Sequence, residues 1–151
     1  MENRTIRLYE EWVRWNPTNL PDGEYAIIEV VDNDDGTRIV LDNTENFVEI
    51  LFDGLLSMSR IVRSPLRMRT WGEVQDKYSK DFFVGWFLYK VENSLLSKWL
   101  EEENCGFEKA TEYTHYCIVS SEAFVDIIST FEPQITSRKM TDEERRLWGV
   151  D

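Results

Sequence analysis

His115 is the only histidine of the chain, and it stands two residues before Cys117. On an extended backbone residues two apart share a face, so an imidazole and a thiol can meet there. Nucleophilic catalysis needs such a pair, because the base takes the proton that a thiol or hydroxyl must lose before it attacks. Both residues, however, lie inside the run Tyr113 to Ser120, whose apolar and β-branched character reads as core. A small-ligand pocket or enzyme site near Cys117 and His115 is therefore the alternative reading of this sequence. Cys105 is the other cysteine; two are too few for a disulfide scaffold, and they lack the paired spacing of a zinc site.

A second stretch with chemical potential is Asp32-Asn33-Asp34-Asp35-Gly36, where closely spaced carboxylates meet a glycine turn. A calcium loop would place glycine sixth and glutamate twelfth, between helices. Here glycine is fifth, Asn43 is twelfth, and the flanks read as strands, so the expectation is an acidic hairpin turn and no metal site. With 29 acidic residues some close carboxylate pair is inevitable, and such a pair points to no glycosidase. The chain has no phosphate-cradling glycine loop and no dinucleotide fingerprint, so no cofactor is expected.

Charge is the stronger signal. The formal net charge is −12, and it is uneven: ten carboxylates between Asp22 and Asp53 face Arg38 alone, whereas Arg60, Arg63, Arg67 and Arg69 follow with no acid among them. An acidic surface repels nucleic-acid phosphates and anionic membranes and speeds encounter with cationic partners. The arginines are expected to neutralise the acidic stretch. The expected contact residues for a cationic protein are Asp32, Asp34, Asp35, Glu45, Glu49 and Asp53. Trp12 and Trp15 join them as aromatic anchors, the residue type that protein interfaces favour.

The elements that position these residues follow from periodicity and turn chemistry. Residues 1 to 15 fit a short helix or a strand, and Asn16-Pro17 ends either. Tyr25 to Val31 and Thr37 to Leu41 form a hairpin about the acidic turn; Phe47 to Phe52 and Leu56 to Val62 extend it into an antiparallel meander. Thr70 and Glu73 have the form of a capping box for a brief helix ending near Tyr78. Phe82 to Val91, almost wholly apolar, reads as the central strand. Asn93 or Ser94 then caps a helix burying Leu95, Leu96, Trp99 and Leu100, and Asn104-Cys105-Gly106 stops it. Trp86 and Trp99 are expected in the core. Tyr113 to Ser120 and Ala123 to Phe131 make a second hairpin. The fold class is α+β: a mainly antiparallel sheet of six to seven strands with two or three short helices covering one face. Residues 1–133 form the single domain, and 134–151 a polar tail whose Thr141 can cap a short docked helix.

Taken as a set, Tyr9-Glu10-Glu11-Trp12, Asp32 to Gly36, Phe82 to Trp86, Val91-Glu92-Asn93-Ser94 with Trp99-Leu100, Thr114-His115-Tyr116 and Phe131-Glu132-Pro133 carry a resemblance. The chain resembles small uncharacterised proteins of Gram-positive bacteria encoded in polymorphic-toxin loci and regarded as immunity proteins. The likeness spans Tyr9 to Pro133 and brings no catalytic residue with it. It implies a non-catalytic cytoplasmic binder that masks a cationic toxin domain. A cytoplasmic location also agrees with the missing leader and with apolar runs shorter than the roughly 18 residues of a membrane span.

Overall fold

The computed structural model describes residues 9–149. Of the stretch 1–15 read as a short helix or a strand, residues 1–8 lie outside them. Among the described residues nine strands and three α-helices are arranged as two antiparallel sheets with helices against them, an α+β architecture. The five-stranded sheet runs β1 (Glu11–Arg14), β6 (Leu88–Glu92), β7 (Thr114–Val119), β8 (Ala123–Ser129), β5 (Met58–Arg63). The four-stranded sheet runs β2 (Ala26–Asn33), β3 (Gly36–Asp42), β4 (Asn46–Phe52), β9 (Gln134–Lys139).

Strand alternation divides the five-stranded sheet into two different faces. Trp12, Tyr89, Val91, His115, Cys117, Phe124 and Asp126 share one face by cross-strand register, and Tyr116, Ile118, Val125 and Ile127 the other. The second face packs against the inward residues Ile39, Leu41, Val48, Ile50 and Phe52 of the smaller sheet in one apolar core, where Phe52 meets Tyr116 edge to face at 5.4 Å between ring centroids. Over the first face lie α1 (Met68–Lys77), whose Trp71 packs on Phe83 and Phe124, and α2 (Leu95–Glu103), whose cap Ser94 reaches His115. The short α3 (Asp142–Leu147) begins with Thr141, which caps Glu144 in a reciprocal box, and Arg138 pairs with Glu144 beside it.

Several sequence expectations change here. The run Phe82 to Phe87 is a folded turn rather than a strand, because Gly85 takes φ +77°, a dihedral open to glycine at little cost. Its rings still enter the core: Phe83 packs on Trp12 and Tyr89, and Trp86 and Phe87 on Tyr25. The strand begins only at Leu88, and β7, not β6, is central. The meander ends at β4, since β5 crosses to the larger sheet to pair with β8. The place beside β4 goes to β9, from the stretch expected as a polar tail, with Ile135 opposite Ile50. The first helix starts at Met68, two residues before Thr70, on a 3-10 turn over Ser64–Arg67, and no side chain caps it.

Candidate functional site

The acidic residues are sorted by the hairpin geometry. Asp34 and Asp35 form the exposed tip between β2 and β3. Asp53 joins that same end, because β4 returns alongside β3 with Phe52 opposite Thr37. Gly36 makes this approach possible: a Cβ on it would sit 2.2 Å from the Phe52 carbonyl oxygen. Beside Asp53 the side chain of Leu55 is 69% exposed, an apolar point within the acidic end. Among the described residues no cation pairs with Asp34, Asp35 or Asp53.

The remaining acids are placed otherwise. Asp32 clasps the two sheets, accepting hydrogen bonds from Thr37 Oγ1 on β3 and Ser59 Oγ on β5. Glu49 lies mid-strand opposite Val40 and shares Arg38 with Glu29. Glu45 sits in the turn between β3 and β4, at the far end of the hairpin, about 20 Å from the tip at roughly 3.4 Å per strand residue. The arginines do not neutralise this region. Arg60 and Arg67 pair with Asp126, and Arg69 with Glu73.

The tryptophan anchors are also reassigned. Trp12 is 4% exposed, packed between Phe83 and Tyr89, because β1 turns it under the helices. Trp15 is half-buried against Tyr116, with Lys90 Nζ over its ring at 4.4 Å. Trp86 is buried as expected and donates its indole N–H to the Leu88 carbonyl. Trp99 is 47% exposed, contrary to expectation. The helix α2 docks on polar residues, with Ser97 turned inward, so Leu95, Leu96 and Trp99 are left to line an open cavity of about 170 Å³ with Arg60 and Arg67.

His115 and Cys117 share a face as read, yet the partners of His115 are others. Ser94 Oγ lies 2.7 Å from His115 Nδ1, and His115 Nε2 lies 2.8 Å from Asp126 Oδ1. The second Asp126 oxygen accepts from Arg67 at 2.7 Å and from Arg60 Nε at 2.9 Å. Burial pushes the Asp126 carboxyl up; the hydrogen bond from His115 and the guanidiniums of Arg67 and Arg60 overcome this and hold it well below the usual carboxylate range. Burial, reinforced by the neighbouring Asp126, pushes the Cys117 thiol far up, which removes the thiolate that nucleophilic attack requires. His115 and Ser94 both line a cavity of about 430 Å³ between α2, β6 and the start of β7.

Sequence reading found neither Ser94 as a partner of His115 nor Asp126 at all. Asp126 did carry a signal: it is the one charged residue within the apolar run Ala123 to Ile128, and a charge there needs partners. Ser94 was legible only as a helix cap, a role it holds by accepting from the Ser97 amide.

Among the described residues no cluster of three or more His, Cys, Asp or Glu side chains is arranged for a metal ion, and no helix is long and apolar enough to cross a membrane. No family model matches the chain, and no curated protein or solved structure matches it.

Proposed function

We propose that this protein binds a cationic protein surface through the acidic end formed by Asp34, Asp35 and Asp53 with Leu55, in the manner of an immunity protein that covers the basic active site of a toxin domain. The observation that carries the reading is that strand register brings three exposed carboxylates, unpaired among the described residues, to one end of the hairpin, with the exposed Leu55 two residues after Asp53. Unpaired carboxylates keep their field for a partner, and an apolar point among them supplies contact area that charge alone does not. The resemblance to polymorphic-toxin loci supports a toxin as that partner. Glu45 is too distant for the same contact, and Asp32 and Glu49 are engaged within the sheets, so the surface is smaller than the sequence suggested.

The test is co-expression with a toxin domain encoded beside the gene. Wild type should protect the cell, and the variant Asp34→Lys/Asp35→Lys/Asp53→Lys should fail to protect while unfolding at the same temperature. Full protection by that variant excludes the acidic end as the contact.

A further inference from the structure

We propose that Ser94, His115 and the positioning residue Asp126 form a nucleophile, base and orienting carboxylate that hydrolyse a short-chain acyl ester in the cavity beside β6 and α2. This goes beyond the binding of a cationic protein and uses another part of the molecule. The proton positions follow from the charges. An ionised Asp126 only accepts, so the hydrogen on its 2.8 Å contact belongs to His115 Nε2. A neutral imidazole with that tautomer presents Nδ1 as an acceptor, and the Ser94 hydroxyl, 2.7 Å away, donates to it. Asp126 turns Oδ1 to the histidine, while the two arginines occupy Oδ2. Their charge also weakens the support that Asp126 lends an imidazolium, so the activity expected is modest.

Ser94 stands at a strand-to-helix corner, after Asn93 at φ +53°. The Ser97 amide, 3.0 Å from Ser94 Oγ, stabilises the alkoxide character that attack demands. The Leu95 amide is taken by Glu10. The cavity, about 430 Å³ and walled by Val13, Val91 and Ala110 with Thr111 and Lys98, suits a small acyl group. In the reaction Ser94 Oγ bonds to the ester carbonyl carbon and its proton passes to His115 Nδ1. The carbon–oxygen bond to the alcohol breaks, and the alcohol leaves with that proton. Water then attacks the acyl-serine, giving its proton to His115, which returns it to Ser94 as the acid departs.

The experiment measures p-nitrophenyl butyrate hydrolysis and fluorophosphonate labelling, with the labelled peptide read by mass spectrometry. Ser94→Ala removes a helix cap as well as the nucleophile, so Ser94→Asn, which keeps a good cap, is assayed beside it. Wild type should be labelled at Ser94, and Ser94→Asn and His115→Gln should lose at least tenfold in hydrolysis while staying folded by circular dichroism. Cys117→Ala should retain the activity. Asp126→Glu should recover part of the labelling rate that Asp126→Asn loses. Absence of label on Ser94 in wild type, or equal hydrolysis by Ser94→Asn, overturns the proposal.

Discussion

Asp126 carries a charge where burial alone forbids one, and three cationic or donor groups make that tolerable: His115, Arg67 and Arg60. Removing the charge strands its partners. Asp126→Asn should cost about 3–5 kcal/mol, because the largely buried Arg67 loses its carboxylate. The pH dependence has a definite sign. The folded-state pKa of Asp126 is depressed below its unfolded value near 3.9, so the group's stabilisation is complete above that value and declines as pH falls through the lower folded value. Denaturant titrations at pH 3, 5 and 7 should show wild type losing stability mainly between pH 5 and 3, with a smaller loss over that interval in Asp126→Asn. Parallel curves for the two proteins would contradict this assignment.

The aromatic elements show how far local pattern reaches. Trp86→Ala should cost about 3–5 kcal/mol, since the ring is buried between Tyr25 and Phe87 and its N–H is bonded. Trp99→Ala should cost less than about 1 kcal/mol, because that ring stands at a cavity rim. Urea unfolding of both variants checks the pair together. The Asp32 to Gly36 turn, the Ser94 cap and the Thr141 box were readable in the sequence because they depend on residues within a few positions, whereas Thr70 and Glu73, spaced like a box, lie inside α1. Pairings between distant strands were not. Nothing in Gln134-Ile135-Thr136-Ser137 marks it as a partner of β4, since an edge strand with one half-buried isoleucine has little apolar alternation. The run Phe82 to Phe87 misled for a related reason: a short apolar segment is equally apolar whether strand or buried turn. A chain ending at Pro133 should expose the β4 edge and the core beneath Ile50, lowering the melting temperature and promoting association by light scattering.

Across the whole molecule, charge and apolar packing divide the work. The core lies between the two sheets and under α1, while the acidic end projects from the hairpin side, where Asp34 and Asp35 contribute little to stability. Composition alone located this acidity within Asp22 to Asp53; which acids act together was set by strand direction, which brings Asp53 to the tip and sends Glu45 away. The site at His115 was the less legible one, because its members come from a helix cap and two strands that meet only in the folded chain.

The most direct test of the proposed binding is the association rate of the purified protein with a candidate basic toxin domain taken from beside its gene, recorded from low to high salt. Exposed charges act over about 8 Å at physiological ionic strength and farther in dilute salt, and complementary fields raise association rates by about tenfold or more. The wild-type rate should fall steeply with salt, and the Asp34→Lys/Asp35→Lys/Asp53→Lys variant should associate at least tenfold more slowly at low salt, with the two rates converging at high salt. Equal rates for wild type and variant at low salt would contradict binding through the acidic end.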